Sequence, residues 1–327
     1  MGDMTRVGVV LGAGGITGIA WLLGALEAVQ AHTGWDPGTA DVIAGTSAGA
    51  IAAVVVAGGI DNEQLLTMAE EQAVLDAAIA DAVARRPGGT GGVPGMWPGS
   101  LALGISGLVS TDPRRRITSL TGFLPRGLRS GDEIRGLTRD AVAPGWPAER
   151  RLLLNACDFR TGDRVTFGAD GAPPAPLEDA VVASCAIPGY YRPVRVGGRD
   201  YVDGGLHSLL NADVLNDAGC DVVLCLSPFA SRERASLADT TIFGAARRAS
   251  ARNLANEAAL LRATGTQVVT IEPAAAELHA MGLNMMDRSR SRRVLDTAAA
   301  GVGARIGALL DGIELPAAGA RGLSLAA

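Results

Sequence analysis

The pattern of apolar and polar residues predicts two kinds of segment, which alternate from the start of the chain. Residues 6–11 and 41–44 are short apolar runs that end at glycines, and both predict buried strands. Residues 18–31 place apolar side chains at helical spacing, and residues 47–56 are almost entirely apolar, which predicts a buried helix. Strand followed by helix, repeated in this way, is typical of a mostly parallel sheet covered on both faces.

The rest of the chain continues this alternation. Two pairs of apolar runs predict antiparallel hairpins, one turning at residues 161–163 and the other at Gly197 and Gly198. The further predicted helices span residues 61–86, 131–143, 177–186, 209–217, 241–263 and 292–311, and the further predicted strands span 151–158, 164–167, 191–196, 199–202, 221–227 and 267–271. A glycine- and proline-rich stretch without a clear period follows residue 86. The pattern therefore predicts one α/β domain with an inserted loop region.

The charged residues exclude several kinds of chemistry. All 29 basic residues are arginine, so a lysine Schiff base and the lysine of a P-loop are excluded. The three histidines (His32, His207 and His279) are too few for a histidine-rich metal site, and we expect no metal and no cofactor. A net charge of −5 argues against nucleic acid as a partner.

Three features bear on the compartment. The N-terminus lacks the basic and then apolar pattern of a signal peptide, and no uninterrupted apolar run is long enough to cross a bilayer. The cysteines (Cys157, Cys185, Cys220 and Cys225) lie in apolar runs without C-x-x-C spacing, which predicts buried free thiols. We therefore expect a soluble, cytoplasmic protein.

The first candidate site is the glycine-rich segment GAGGITG at residues 12–18, which follows a predicted strand and opens a helix. A dinucleotide-binding loop requires G-x-G-x-x-G, but the sixth position is Thr17 rather than glycine. Backbone N–H groups at a helix N-terminus can also hold an anion. The segment is therefore either an anion cradle or a tight turn without a ligand.

The second candidate is GTSAG at residues 45–49, between a predicted strand and a predicted helix. The pattern G-x-S-x-G places a serine on a sharp strand-to-helix turn, where its hydroxyl is exposed and small neighbours accommodate the strained backbone. This context favours Ser47 as a nucleophile over a structural serine.

A nucleophilic serine requires a base, and the histidines are not obvious candidates. His32 precedes the serine at the predicted end of the first helix, and no pattern marks His207 or His279 as a catalytic histidine. The segment YVDGG at residues 201–205 instead delivers Asp203 at the end of a strand, where a side chain can point into a crevice. By itself Asp-Gly-Gly also forms ordinary turns.

Together with two further blocks, these segments resemble the patatin-like phospholipase family. The resemblance rests on GAGGITG (12–18), GTSAG (45–49), ASCAIPGYYRPV (183–194) and YVDGGLHSLLNADVL (201–215) with the strand CDVVLCLS (220–227). It covers most of the chain and implies a three-layer α/β/α fold with a mostly parallel central sheet. We expect this α/β hydrolytic domain over residues 1–315, a lid-like insertion at about 86–130, and a C-terminal tail at 316–327.

The resemblance also implies a serine lipid acyl hydrolase that uses a Ser–Asp dyad without histidine. In this sequence Ser47 would be the nucleophile, Asp203 would activate it, and the N–H groups of Gly14, Gly15 and Ile16 would form the oxyanion hole. The glycines that would support these motifs are Gly12, Gly18, Gly45, Gly49, Gly204 and Gly205. The expected reaction is that of a phospholipase A, lysophospholipase or carboxylester hydrolase on a lipid or phospholipid ester, with peripheral membrane contact.

One departure keeps alternatives open. Such proteins usually carry Arg or Lys before the last glycine of the loop, where this chain has Thr17. A catalytically weak lipid-binding or regulatory protein on the same fold is therefore one alternative, and a Ser-His-Asp esterase using His207 or His279 is another.

Two regions could contact lipid. The arginines at 85–86, 114–116 and 288–293 are candidates for phosphate contact or for replacing the missing cation, although such clusters are also ordinary solvated surface. The insertion could act as an interfacial lid through Met96, Trp97 and Leu101, or it could be a simple surface insertion.

Overall fold

The computed structural model describes residues 5–59, 100, 103, 119–142, 145–233 and 242–316. The predicted helix at 61–86, the proposed lipid-contacting residues Met96, Trp97 and Leu101, and the arginines at 85–86 and 114–116 lie outside the described residues. Most of the predicted insertion and tail also lie outside them.

The described residues form an alternation of strands and helices. The strands are β1 (Val7–Leu11), β2 (Val42–Thr46), β3 (Arg151–Asp158), β4 (Arg164–Phe167), β5 (Val194–Val196), β6 (Arg199–Asp203), β7 (Val222–Leu226) and β8 (Gln267–Ile271). The helices are α1 (Gly15–Thr33), α2 (Ala48–Gly58), α3 (Asp132–Ala141), α4 (Leu177–Cys185), α5 (Ile242–Ala263), α6 (Ala275–Met281) and α7 (Ser291–Leu309).

The central part of the sheet is parallel. Strands β3, β2, β1, β7 and β8 lie side by side in that order with parallel pairing throughout. Every residue of β1, β2 and β7 is buried, because helices cover both faces of the sheet. This is why these strands are continuous apolar runs in the sequence rather than alternating ones.

Strands β4 and β6 both pair with β3 in antiparallel orientation, and β6 lies on the same edge of β3 as β2. Residue Ala156 of β3 pairs with Val165 of β4 and also with Asp203 of β6, so β4 and β6 must lie on opposite edges of β3. Strand β2 pairs with residues of β3 that also pair with β4, so β2 lies on the same edge as β6. Thr46 pairs with Asn155, and Asp203 pairs with the next residue. The ends of β2 and β6 therefore meet.

Helices cover the two faces of the sheet unequally. One face packs against α1, α2, α3, α4, α6 and α7, and its core includes Trp21, Leu22 and Tyr201. The other face packs against α5 and the short segment Ala212–Leu215, with Leu254 and Val223 in its core. This is the predicted three-layer α/β/α fold with a mostly parallel central sheet.

The structure also corrects the predicted helix at 209–217, where the only helical part is a 3-10 turn, Ala212–Leu215. Asn211 has a left-handed φ of 59°, which an α-helix cannot contain. The carbonyls of Leu209 and Leu210 accept hydrogen bonds from Ala13 N–H and Thr46 Oγ1, so they are committed to tertiary contacts. The short helix α6 was not predicted from the sequence.

Candidate active site

Ser47 occupies the turn between β2 and α2. It immediately precedes α2 and has φ 55° and ψ −117°, a region that a residue with a side chain rarely adopts. Gly45 makes so tight a turn possible, because a Cβ there would lie 2.5 Å from the carbonyl oxygen of Gly49. Gly49 lets the start of α2 pack closely against β1, because a Cβ there would overlap the Leu11 carbonyl. The structure thus places Ser47 on the predicted strained turn.

The C-terminal end of α4 holds this turn in place. The Ser47 N–H donates to Ser184 Oγ at 3.0 Å, and Ser184 Oγ donates in turn to the Asn155 carbonyl at 2.6 Å. The Cys185 thiol donates to the Ser47 carbonyl at 3.2 Å. Both backbone polar groups of the strained residue therefore have partners, and two residues of the block ASCAIPGYYRPV supply them.

Asp203 lies at the end of β6 with its carboxylate buried next to Ser47. The Gly205 N–H donates to Asp203 Oδ1 at 2.7 Å, and the Ser47 side chain is close enough to act on the same carboxylate. Burial raises the pKa of Asp203 to about 6, and these two neighbours limit the rise. The carboxyl group is therefore a stronger base than a solvated aspartate when it is ionised.

The glycine-rich loop leaves a group of backbone N–H donors unused. The N–H groups of Gly12, Ala13 and Thr17 donate to the carbonyls of Leu226, Leu209 and Met285. No described residue accepts a hydrogen bond from the N–H groups of Gly14, Gly15 and Ile16. Gly15 has φ +65°, a conformation that favours glycine. These three donors stand at the N-terminus of α1, where the helix dipole favours a negative charge.

The three loops converge at one place. A Cβ on Gly18, in the first turn of α1, would lie 3.7 Å from Ala48 Cβ, so the first turns of α1 and α2 are in contact. A Cβ on Gly205 would lie 3.7 Å from Ala13 Cβ, which joins the loop after Asp203 to the glycine-rich loop. Ser47, Asp203 and the unused N–H donors therefore lie close together.

All the glycines predicted to support the motifs lie in or beside these loops. Gly12 and Gly18 are in the glycine-rich loop and the first turn of α1, and Gly45 and Gly49 flank the Ser47 turn. Gly204 and Gly205 begin the 3-10 turn Gly204–Leu206 directly after Asp203.

The histidines and Thr17 are not among the groups that shift the pKa of Asp203. His279 is exposed on α6, and His207 is exposed close to Asp213, whose pKa it helps to lower. The charge state of Asp203 responds to its burial, to Ser47 and to Gly205. Thr17 is fully buried, and its hydroxyl has no hydrogen-bond partner among the described residues.

A buried polar network beneath the site was not anticipated from the sequence. Asn211 Nδ2 donates to Thr46 Oγ1 at 3.1 Å and to the Ser208 carbonyl at 2.5 Å, and Asn155 Nδ2 donates to Thr46 Oγ1 at 3.2 Å. Glu257 of α5 accepts from Ser208 Oγ and from the Ala212 N–H. This network ties the end of β2 to β3, to the loop after Asp203 and to α5. The signal that could have indicated this network is the presence of polar residues within otherwise apolar segments.

The described arginines at 288–293 are partly engaged in structure. Arg288 lies 3.4 Å from Glu133, and Arg290 lies 3.0 Å from Asp287. Arg290 also donates to the Ala280 carbonyl. In the part of the chain that the structure covers, no three His, Cys, Asp or Glu side chains group as metal ligands would. All four cysteines are buried and free, as expected.

Fold and site together define an α/β protein with a serine and a carboxylate at the carboxyl end of a parallel sheet. The family model described as Patatin-like phospholipase matches residues 9–216, which is more than half of the chain. The chain belongs to the patatin-like phospholipase family, a family of lipid acyl hydrolases.

Two solved structures are similar to this chain at low sequence identity. The type III effector protein ExoU is 18% identical with a TM-score of 0.36, over 93% of this chain and 53% of ExoU. VipD from Legionella pneumophila is 15% identical with a TM-score of 0.38, over 95% of this chain and 67% of VipD. The chain thus spans about half the length of ExoU. Among the described helices, none has the combined length and hydropathy needed to cross a bilayer.

Proposed function

We propose that this protein is a serine lipid acyl hydrolase that acts as a phospholipase A, lysophospholipase or carboxylester hydrolase through Ser47 and Asp203. The observation that carries the proposal is the buried Asp203 carboxylate at the meeting ends of β2 and β6, near enough to the Ser47 side chain for that side chain to lower its pKa. Family membership supports a lipid ester as the substrate. We propose that the hydrolytic domain spans residues 1–315, that a lid-like insertion lies at about 86–130, and that residues 316–327 form a tail.

The first half of the reaction forms an acyl-enzyme. Ser47 Oγ attacks the ester carbonyl carbon while its proton passes to the Asp203 carboxylate. The carbonyl oxygen becomes an oxyanion, which the N–H groups of Gly14, Gly15 and Ile16 stabilise, each contributing about 3 kcal/mol. The tetrahedral intermediate then collapses, the C–O bond to the alcohol breaks, and protonated Asp203 returns the proton to the leaving alkoxide.

The second half of the reaction releases the fatty acid. A water molecule gives a proton to Asp203 and attacks the acyl carbon, and the same N–H groups stabilise the second oxyanion. Collapse of this intermediate breaks the bond to Ser47 Oγ, which recovers its proton from Asp203. The base therefore needs to be ionised at the start of each half-reaction and is restored at its end.

The dyad is tested by labelling and by substitution. We expect a fluorophosphonate probe to label Ser47, and Ser47→Ala and Asp203→Asn to lower ester hydrolysis at least 1,000-fold while the protein stays folded. Asp170→Asn, at a fully exposed carboxylate, is the matched control and should retain full activity. Wild-type rates in either dyad variant would exclude this mechanism.

Replacing the two candidate histidines separates a dyad from a triad. Because His207 and His279 are exposed, His207→Gln and His279→Gln should each leave kcat/KM within threefold of wild type. A 1,000-fold loss in one of them would assign the reaction to a Ser-His-Asp esterase instead. Stoichiometric binding of fatty acid without turnover of any ester would favour the lipid-binding alternative.

We further propose that an exposed apolar rim beside the site contacts the membrane surface. The rim consists of the exposed apolar residues Leu120, Phe123, Leu124, Leu128, Ile187 and Tyr190. The Asp203 N–H donates to the Ala186 carbonyl, so the loop that carries Ile187 and Tyr190 begins beside the dyad. Apolar side chains in this position would enter the interfacial region while the crevice faces the lipid.

The rim is tested with vesicles and a soluble substrate. The double variant Leu120→Ser/Leu128→Ser should bind phosphatidylcholine vesicles at least fivefold more weakly and hydrolyse a monomeric short-chain ester at the wild-type rate. Leu260→Ser removes an equally exposed leucine from α5 and should leave vesicle binding unchanged. Equal vesicle binding by the double variant and wild type would contradict the proposal.

A further inference from the structure

A separate cavity lies at the far end of β6 from Asp203. Its volume is about 530 Å³, which is in the range of small-molecule sites. The loop that follows β3 forms one wall, and the turn between β5 and β6 forms another. No part of the proposed reaction uses this cavity.

The cavity has an excess of positive charge. The charged side chains that line it are the arginines Arg126, Arg160, Arg195 and Arg199 and the aspartates Asp158 and Asp200. Four guanidinium groups thus share two carboxylates in a chain whose net charge is −5. The positive charge is therefore a local property of this cavity and not a consequence of the overall composition.

The two carboxylates are already committed to neighbouring groups. Asp200 lies 2.6 Å from Arg126 and 3.4 Å from Arg195, so a single carboxylate serves two guanidinium groups. Asp158 is buried and accepts from the N–H groups of Arg160 and Thr161 as well as from Arg199 at 3.0 Å. Asp158 thus helps to fix the loop that forms the wall.

Among the arginines of this cavity, Arg160 has the side chain with the most hydrogen-bonding capacity left for a ligand. Its side chain is exposed, and no carboxylate among the described residues pairs with it. Arg195 shares Asp200 with Arg126 and makes only a long contact of 3.4 Å. Planar guanidinium groups bind phosphate oxygens through two parallel N–H bonds, and phosphate carries enough charge to balance both arginines.

The distance between the cavity and the dyad is compatible with one phospholipid molecule reaching both. Asp200 and Asp203 are three residues apart on β6, which corresponds to about 10 Å along an extended strand. The apolar side chains of Leu103, Phe159 and Val202 pack together in this region. A phospholipid carries its phosphate on the same glycerol as its acyl esters, so one molecule can present an ester to Ser47 and a phosphate to the cavity.

We propose that this cavity binds a phosphate group through Arg160 and Arg195, with Arg126 and Arg199 completing the positive wall. The phosphate belongs either to the headgroup of a lipid whose ester lies at Ser47 or to a free phosphate ion. The headgroup assignment rests on the proposed lipid acyl hydrolase function, whereas phosphate binding itself does not depend on it.

Binding is measured first, without any need for catalysis. In a Ser47→Ala background, inorganic phosphate is titrated and followed by calorimetry. We expect Arg160→Gln/Arg195→Gln to weaken phosphate binding at least tenfold. Arg252→Gln removes an exposed arginine from α5, outside the cavity, and should bind phosphate like the parent protein. Absent phosphate binding in the parent, or an equal loss in Arg252→Gln, would overturn the proposal.

Kinetics then distinguish the two sources of phosphate. With Ser47 intact, kcat/KM is compared for a lysophosphatidylcholine and a monoacylglycerol with the same acyl chain. If the headgroup occupies the cavity, Arg160→Gln/Arg195→Gln lowers kcat/KM for the lysophospholipid about tenfold and leaves the monoacylglycerol value unchanged. An equal kcat/KM ratio in variant and wild type, together with lost phosphate binding, assigns the cavity to free phosphate and overturns the headgroup assignment. If wild type cleaves neither of these esters nor a diacyl phospholipid nor a short-chain ester, the proposed function fails while the titration still decides whether the cavity binds phosphate.

Discussion

The proposed chemistry depends most directly on the carboxyl group of Asp203. It is only 6% exposed, and the loss of hydration raises its pKa to about 6. A base of this strength can accept the serine proton more readily than a solvated aspartate and still be ionised at neutral pH. In the proposed mechanism, one buried carboxylate takes the role that many hydrolases assign to a histidine.

The raised pKa predicts the acid limb of the activity profile. Because the base is active only when ionised, kcat/KM should be constant above pH 7 and fall about tenfold per pH unit below a pKa of about 6. A pH series with a soluble ester measures this limb. A limb near pH 4 would show that the base titrates like a solvated aspartate and would contradict the raised pKa of Asp203.

The same pKa predicts the direction of a stability change. A carboxyl whose pKa is higher in the folded protein binds more protons there, so its stabilising contribution is lost as pH rises from about 4 to about 6. Between pH 4 and pH 7 the free energy of unfolding of Asp203→Asn should therefore rise relative to that of wild type, by on the order of 3 kcal/mol. Denaturant unfolding of both proteins at pH 4 and pH 7 checks the sign.

At the scale of elements, the site depends on how loops from different strands are held together. The Ala13 N–H donates to the Leu209 carbonyl at 2.7 Å, and Thr46 Oγ1 donates to the Leu210 carbonyl at 3.3 Å. The loop after β6 is thereby bonded both to the glycine-rich loop and to the residue before Ser47. Asn211, in its left-handed conformation, is the residue that gives this loop its shape.

Asn211→Ala is expected to loosen this connection. The substitution removes the bonds to Thr46 and Ser208 and places a residue with a Cβ at φ 59° without the local bonds that asparagine makes. We expect a loss of about 2–3 kcal/mol in the free energy of unfolding and a fall in kcat of at least fivefold. Thermal unfolding and steady-state kinetics measure the two effects.

Asn216→Ala is the matched control for that substitution. Asn216 follows the same 3-10 turn, but its Oδ1 is buried without a partner among the described residues. Its loss should cost under about 1 kcal/mol and leave kcat unchanged, since no bond to Oδ1 is lost. Equal effects of the two substitutions would mean that the bonds of Asn211 do not position the loop.

At the scale of the whole molecule, a buried carboxylate joins the helices of one layer. Glu277 of α6 is 1% exposed and accepts from Trp21 Nε1 of α1 at 2.6 Å and from both terminal nitrogens of Arg305 of α7, at 2.5 and 2.9 Å. Helix α1 also packs closely against α7. The carboxylate therefore satisfies polar groups from two other helices.

Glu277→Ala should destabilise the whole fold. It leaves the buried Trp21 N–H without an acceptor and removes the carboxylate partner of Arg305, which keeps only its bond to the Glu272 carbonyl, and we expect a cost of about 3 kcal/mol in the free energy of unfolding. Asp170→Ala breaks the exposed pair with Arg151 and should cost under about 1 kcal/mol. Denaturant unfolding of both variants measures the difference, and similar costs would show that the Glu277 network is not important for stability.

Local sequence was sufficient to predict much of the fold. The strand at 267–271, both hairpins and the strand-to-helix turn at Ser47 were predicted, because apolar periodicity and glycine position are local properties. The helix predicted at 209–217 was wrong, since tertiary hydrogen bonds from Ala13 and Thr46 outweigh the helical pattern there. The helix α6 was missed because about two turns of alanine-rich chain carry little periodic signal.

The sequence by itself determined the residue types of the candidate site and the order of the blocks that carry them. The meeting of Ser47 and Asp203 was decided only by the tertiary structure, because it requires β2 and β6 to follow one another along the same edge of β3. The shift in the Asp203 pKa and the positive cavity depend equally on burial and on neighbours distant in sequence. Such properties arise from long-range packing, which periodicity and motif spacing do not contain.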